Sequence, residues 1–404
     1  MENNHVNEGL EEIEDEIVNI NEEDIDRVID VDDNEEDFND ITEDAGAEGE
    51  IEDVEMFEPV SDSSKLTFEK HTDVVYCISL HPSGLKMAVT GGQDDKAYLW
   101  DIENGNIILE CKGHKDSVAS VAFSFDGIYV ATADLSGLIK VWKVSSREEV
   151  WSFECDDIEW IQWHSHAHVL LAGTATGQIW MWKIPSGDCK TFTGPNSTVT
   201  CGRILPDGKR LCAGFENGMM KIIELKDQTS LHSLNVHSEC ITCLDCHSDN
   251  NLVISGSSDL TCHITNINNG KVVSSVICDN NSHNANMDNS VESVAFSKTH
   301  PWAAVGTLDG TIYLWDVQAG KLRNKWQFDG SLVKLKWLEN SPQLFTAGLD
   351  GIIRLWDTRD GLLSKQWHGH RAAIMDFEIS SDGSLIGSVS QDKTAKIFSM
   401  NSST

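Results

Sequence analysis

The chain has 404 residues, 66 acidic against 30 basic side chains, a formal net charge of −36 and 40% hydrophobic residues. The length allows one large domain or several ordinary ones, and the apolar content is enough for a packed core. The charge argues against a cationic nucleic-acid surface, and no apolar run approaches the length of a membrane span.

The charge is unevenly placed. Residues 1–64 hold 27 of the carboxylates and a single basic residue, Arg27. Runs such as Glu11-Glu12-Ile13-Glu14-Asp15-Glu16 cannot bury enough apolar surface to offset their ordering entropy, and like charges hold them extended. The expectation is a disordered acidic tail over 1–64, with a short amphipathic helix over 13–20. Two roles fit it, a solubilising tail and a tether for a basic partner. The stretch from Asp30 to Asp40 lacks the glycine that a calcium loop needs for its turn. The N-terminus is acidic where a secretory signal has a basic region before an apolar core. The 11 cysteines are therefore expected as free thiols in a reducing compartment, which places the protein in the cytoplasm.

Downstream, eight residues recur near the ends of short apolar strands: Trp100, Trp142, Trp182, Ile223, Thr265, Trp315, Trp356 and Phe398. Their spacings are 42, 40, 41, 42, 50, 41 and 42 residues. A period of about 40–45 residues is that of a β-propeller with one four-stranded blade per repeat. Repeat two shows the parts in order: Gly113-His114, strands over 118–124, 129–133 and 138–142, and an Asp126-Gly127 turn between the first two. The fourth, outer strand follows the recurring residue, as at 107–111. Repeats run over about 71–111, 114–153, 154–193, 194–235, 237–278, 290–326, 328–367 and 370–404. The fold expected for 65–404 is therefore all-β, an eight-bladed propeller. Repeat eight stops after its third strand, and 65–69 reads as a strand with no place in repeat one. Pairing the two would close the ring and leave no open inner edge.

Three further features are read structurally. The long spacing before Trp315 is an insertion at 279–289, rich in Asn and Asp and expected as a mobile loop. Cys240, Cys243 and Cys246 fall on a strand, where residues three apart face opposite sides, so they read as small strand residues rather than metal ligands. Trp151, Trp160, Trp163, Trp180 and Trp182 crowd repeat three at core periods and read as packing.

With these elements in place, the sequence resembles the WD40 family from about residue 65 to residue 399. The resemblance implies a hydrogen-bonded chain inside each blade, from a His before the first strand through a Ser/Thr and a turn Asp to the Trp. His71, Thr90, Asp94 and Trp100 make a complete set. Repeat five has His237, Ser255 and Asp259 with Thr265. Repeat eight has His370, Ser388 and Asp392 with Phe398. Repeat two keeps His114, Thr132 and Trp142 but has Ser136 at the Asp position. Repeats six and seven keep Asp309 with Trp315 and Asp350 with Trp356, without the His; repeats three and four have Thr176 and Asn217 at the Asp position. Those last four blades are expected to lean on packing. A His/Ser/Asp set that recurs with the repeat is not a catalytic triad, which occurs once and opens on a cleft. No nucleophile elbow, Walker loop or zincin motif is present. The expectation is no enzyme and no cofactor.

The resemblance also implies that partners engage the top face near the central channel. Three positions per blade point there: the residues on either side of the first core residue of the first strand, and the residue before the turn Asp. None of these 24 positions is Lys or Arg. Asp157, Glu159, Glu216 and Glu292 are acidic, with Asp156 adjacent, and Tyr76, Leu135, Leu308, Leu349 and Met375 are apolar. An acidic patch with apolar anchors suits a basic protein segment and suits nucleic acid poorly.

Several stretches, among them 91–101 (GGQDDKAYLWD), 113–118 (GHKDSV) and 205–210 (LPDGKR), resemble the angio-associated migratory cell protein family within the WD40 proteins. That resemblance implies an intracellular, non-enzymatic protein linked to cell migration and angiogenesis. The fungal relatives imply a chaperone that captures the N-terminal segment of a basic large-subunit ribosomal protein. The expected protein is a monomeric scaffold or chaperone for such a segment. The alternative is a signalling scaffold in migration, with peripheral association at the cell cortex.

Overall fold

The computed structural model describes residues 56–278 and 289–401. The expected helix over 13–20, and the 279–289 insertion up to residue 288, lie outside the described residues. Strands form where β-branched and aromatic residues alternate with polar ones between turn residues. In blade one they are β2 (Val75–Leu80), β3 (Met87–Gly92), β4 (Ala97–Asp101) and β5 (Ile107–Cys111). The described residues make eight such four-stranded antiparallel sheets. The first strands of neighbouring blades abut and line the channel, and the fourth strands face outward.

The ring closes as expected. β1 (Leu66–Phe68) pairs antiparallel with β32 (Ala395–Ser399), setting Leu66 opposite Ile397 and Phe68 opposite Ala395. Phe68 is 2% exposed and stacks on Trp100 of blade one with ring centroids 4.5 Å apart. One strand thus completes blade eight and fills the core it shares with blade one. Such cores lie between blades: Val75, Ile78 and Trp100 pack there against Leu385, Val389 and Ile397. The expected tail over 1–64 is held from Met56 onward. Phe57 N–H donates to Arg371 O at 2.8 Å, Ser63 N–H to His368 O at 2.9 Å, and Lys396 Nζ to Asp62 at 2.7 Å.

The polar sets are blade-internal, with corrections. His71 Nδ1 lies 2.9 Å from Asp94 and its Nε2 3.0 Å from Thr90, but the Trp100 indole nitrogen has no partner. Stacking against Phe68 turns that ring to the core instead. The complete chain is in repeat two, where the carboxylate is Asp134, two residues before Ser136. His114 reaches Asp134 at 2.9 Å and Thr132 at 2.8 Å, and Trp142 Nε1 donates to Thr132 at 3.2 Å. His237 with Ser255 and Asp259, and His370 with Ser388 and Asp392, form as expected. Blade seven does not lean on packing alone. Arg354 takes the missing histidine's place against Asp350, and Trp356 Nε1 donates to Thr346 at 2.9 Å. The tryptophans of blade three do pack: Trp180 and Trp182 stack in a core shared with blade two.

Truncating Phe68→Ala removes both the blade-eight strand's anchor and the Trp100 stack, and should cost roughly 3–5 kcal/mol in urea denaturation. Burial alone would raise the Asp134 and Asp392 carboxyls, but the bonds from His114 and His370 override it and hold both at about 2. A depressed folded-state pKa gives stability that is full above about pH 4 and is lost as pH falls toward 2. Thermal unfolding against pH should show that decline, and Asp392→Asn should flatten it while costing roughly 1.5–3 kcal/mol at neutral pH.

Candidate functional site: the channel mouth

A repeated irregularity builds the rim. In seven blades the ladder between first and second strands skips one residue just inside the first strand. The residues passed over are Tyr76, Ala119, Glu159, Thr242, Glu292, Val333 and Met375. A bulge leaves its extra residue outside the ladder and re-aims it.

The other two rim positions of each blade are bonded to one another. Glu216 N–H donates to Thr198 O at 3.0 Å, Ala175 N–H to Asp157 O at 2.9 Å, and Leu349 N–H to Ser331 O at 2.9 Å. The equivalent bond recurs in all eight blades, including Leu135 to Ser117 and Leu308 to Ser290. In every blade two of the three positions are thus tied to one another by backbone geometry that no side chain has to supply.

The carboxylates gather on blades three and four. Asp157, Glu159 and Glu216 are exposed, and Glu292 on blade six is half-buried. Partial desolvation pushes the Glu159 carboxyl up, and the charges of Asp157 and Glu216 push it further, with no basic side chain opposing them. The Cys240 thiol on blade five is pushed up by burial and then by Glu216 and Glu159, so the same field crosses three blades. Glu216 accepts from Thr198 Oγ1 at 2.9 Å and Glu292 from Ser290 Oγ, so hydroxyls rather than cations steady them. Asp156 is exposed but tied within blade three by Thr176 Oγ1 at 2.8 Å.

The apolar positions divide. Leu135 and Leu349 stand 43% and 42% exposed. Leu308, Tyr76 and Met375 are half-buried, and the last two pack onto the cores between blades. Burial raises the Tyr76 hydroxyl, and Asp73 and Asp116 raise it further. Sequence reasoning missed those two carboxylates as part of the mouth. Their signal was their register: Asp73, Asp116 and Asp156 each sit one residue before the first rim position of their repeats. On the first strands of blades seven and eight, Lys334 stands 2.5 Å from Asp376 and Lys336 3.8 Å from Glu378.

Among the described residues no cluster of three metal-ligating side chains occurs. Cys243 and Cys246 are thiols that burial pushes well above their usual range. The His/Asp pairs are closed to solvent, with His71, His114, His237 and His370 side chains at 0% exposure.

The WD domain, G-beta repeat family matches residues 62–101 and 105–143, and the nucleolar protein 10-like N-terminal domain family matches residues 160–400. Angio-associated migratory cell protein of Homo sapiens is 42% identical over 347 residues, covering 83% of this chain and 80% of that protein. Ribosome assembly protein SQT1 of Saccharomyces cerevisiae is 27% identical over 315 residues, covering 68% and 71%. The solved structure of Chaetomium thermophilum Sqt1 bound to the N-terminus of ribosomal protein L10 is 22% identical with a TM-score of 0.76. It covers 84% of this chain and 100% of that one, and shares the fold. With the repeat family matched and an identity of 42% across most of both lengths, the chain belongs to the WD40 repeat proteins and, within them, to the angio-associated migratory cell protein family.

Proposed function

We propose that this protein is a non-enzymatic chaperone or adaptor whose acidic mouth binds a basic protein segment, that of a large-subunit ribosomal protein during ribosome assembly. The observation that carries the reading is Glu159. Its carboxyl is raised by partial burial and by Asp157 and Glu216, so the cluster lacks a counter-charge of its own. A cation brought by a partner relieves that repulsion, steers the encounter and fixes register. Leu135 and Leu349 add apolar surface beside it. Ribosome assembly protein SQT1 is a relative, and Chaetomium Sqt1 carries the L10 N-terminus on the same fold. The histidine sets do not compete as chemistry, because they are sealed inside blades. The cytoplasm, where ribosomal proteins are made, is the place of action in this reading.

Asp157→Lys combined with Glu159→Lys should weaken binding of a basic ribosomal N-terminal peptide at least about tenfold by calorimetry. The melting temperature should not move, because both side chains are exposed. Unchanged affinity would overturn the reading.

A second reading, a signalling scaffold in cell migration, rests on the 42% identity to angio-associated migratory cell protein. Proximity labelling that returned small-GTPase regulators and no ribosomal proteins would favour it.

A further inference from the structure

We infer that the outer groove between blades three and four binds the phosphate group of a phosphomonoester, at a site centred on Lys221. The site is separate from the acidic mouth, and neither reading depends on the other.

The groove opens between the outermost strand of blade three, β13 (Cys189–Thr193), and the last two strands of blade four, β16 (Met219–Glu224) and β17 (Thr229–Asn235). It is a cavity of about 300 Å³, at the small end of the range for ligand pockets. Phe192 and Ile223, 4% and 3% exposed, form an apolar floor. Half-buried Lys221 and exposed Gln228 and Ser230 line the blade-four wall, and Thr191 and Thr193 line the other.

The charge of the groove is the reverse of the mouth's. Lys221 Nζ donates to Thr193 O at 2.9 Å and belongs to no ion pair among the described residues. Burial pulls its ammonium below the usual lysine range, with no carboxylate to offset the shift. None of the lining residues is acidic, although the chain holds 66 carboxylates. The cavity of about 350 Å³ between the turns of blades seven and eight differs, because Glu339 and Asp382 line it beside Lys336.

The open edge of β13 adds donors. Gly194 N–H donates to Gly177 O at 2.9 Å, so the next pair along the ladder, Gln178 with Thr193, is a non-hydrogen-bonded one. Residues of such pairs turn both N–H and C=O away from the partner strand, and this holds for Thr193 and, two residues on, for Thr191. The bond from Lys221 to Thr193 O fits that direction. Two backbone N–H groups therefore face the groove from one wall and an ammonium from the other. Donors converging from two walls suit a tetrahedral oxyanion better than a planar carboxylate, and charge-assisted bonds hold it. The apolar floor takes the carbon skeleton of the ester. Nucleic acid or an anionic membrane would meet the whole chain's charge of −36. A single phosphate group meets mainly the groove, since exposed charges beyond about 10 Å are screened.

The test is calorimetric titration of the full chain with O-phosphoserine, inorganic phosphate and serine at constant ionic strength. O-phosphoserine should bind saturably with a Kd of about 1 mM or tighter, and serine should not bind. Lys221→Gln should weaken that binding at least about tenfold, and Lys221→Arg should keep it within about threefold. Ser230→Asp places a carboxylate in the groove at an exposed position and should weaken binding as much, without moving the melting temperature. The Asp157→Lys, Glu159→Lys pair should leave it unchanged, so groove and mouth are read separately. Binding of O-phosphoserine no tighter than that of inorganic phosphate would overturn the ester. No saturable binding of either, or binding indifferent to Lys221→Gln and Ser230→Asp, would overturn the site.

Discussion

Everything displayed at the mouth depends on hydrogen bonds that run across blade boundaries around the channel. Each inner strand is bonded to the next. Phe123 N–H reaches Ser79, Ile204 N–H reaches Gln162, Phe296 N–H reaches Asp245, Leu335 N–H reaches Ser293, and Leu80 N–H reaches Glu378. The remaining boundaries are spanned by the Trp163 indole to Ala122 O, Arg203 to Leu244 O and the Lys334–Asp376 pair. Pairing of β1 with β32 makes this a closed circuit rather than an open stack. In an open stack of repeats each unit is held only by its neighbours, and the end units have an uncovered face. Closure removes both ends, so rim residues far apart in sequence keep fixed mutual positions.

That rigidity lets opposite electrostatic solutions coexist within one blade's length. Inside the blades, Asp134 and Asp392 are drawn below the usual carboxylate range because a histidine and backbone groups answer their charge. Glu159 moves the other way, raised first by partial desolvation and then by the charges of Asp157 and Glu216. Buried charge must be paired within the chain, whereas charge at a solvent-facing rim can wait for a partner. The two groups of acids differ in what surrounds them.

The period of about 40 residues was legible because each blade repeats the same core positions, and eight recurring residues became eight sheets. The closing strand was legible as a strand left over at one end and a strand missing at the other. The bulge and the backbone bond recur from blade to blade because neither depends on a particular side chain. Other assignments failed where one side chain replaced another in space. Asp134 does the work assigned to the position of Ser136, and Arg354 fills in for a histidine from a different strand. The Trp100 indole nitrogen has no partner, and its ring stacks on Phe68 of the strand that completes the neighbouring blade eight. Spacing along the chain cannot register such exchanges, because they depend on which atoms meet across a sheet.

The sequence by itself determined the propeller, its eight blades, its closure and the absence of cations from the rim positions, because these follow from periodicity and composition. Only the tertiary structure decided which carboxylates share a field, and that Phe57 packs at Gly351 and bonds to Arg371 O. Electrostatic coupling depends on distance through space. Glu159, Glu216 and Cys240 are brought together by three blades that lie side by side, although some forty residues of chain separate one blade from the next.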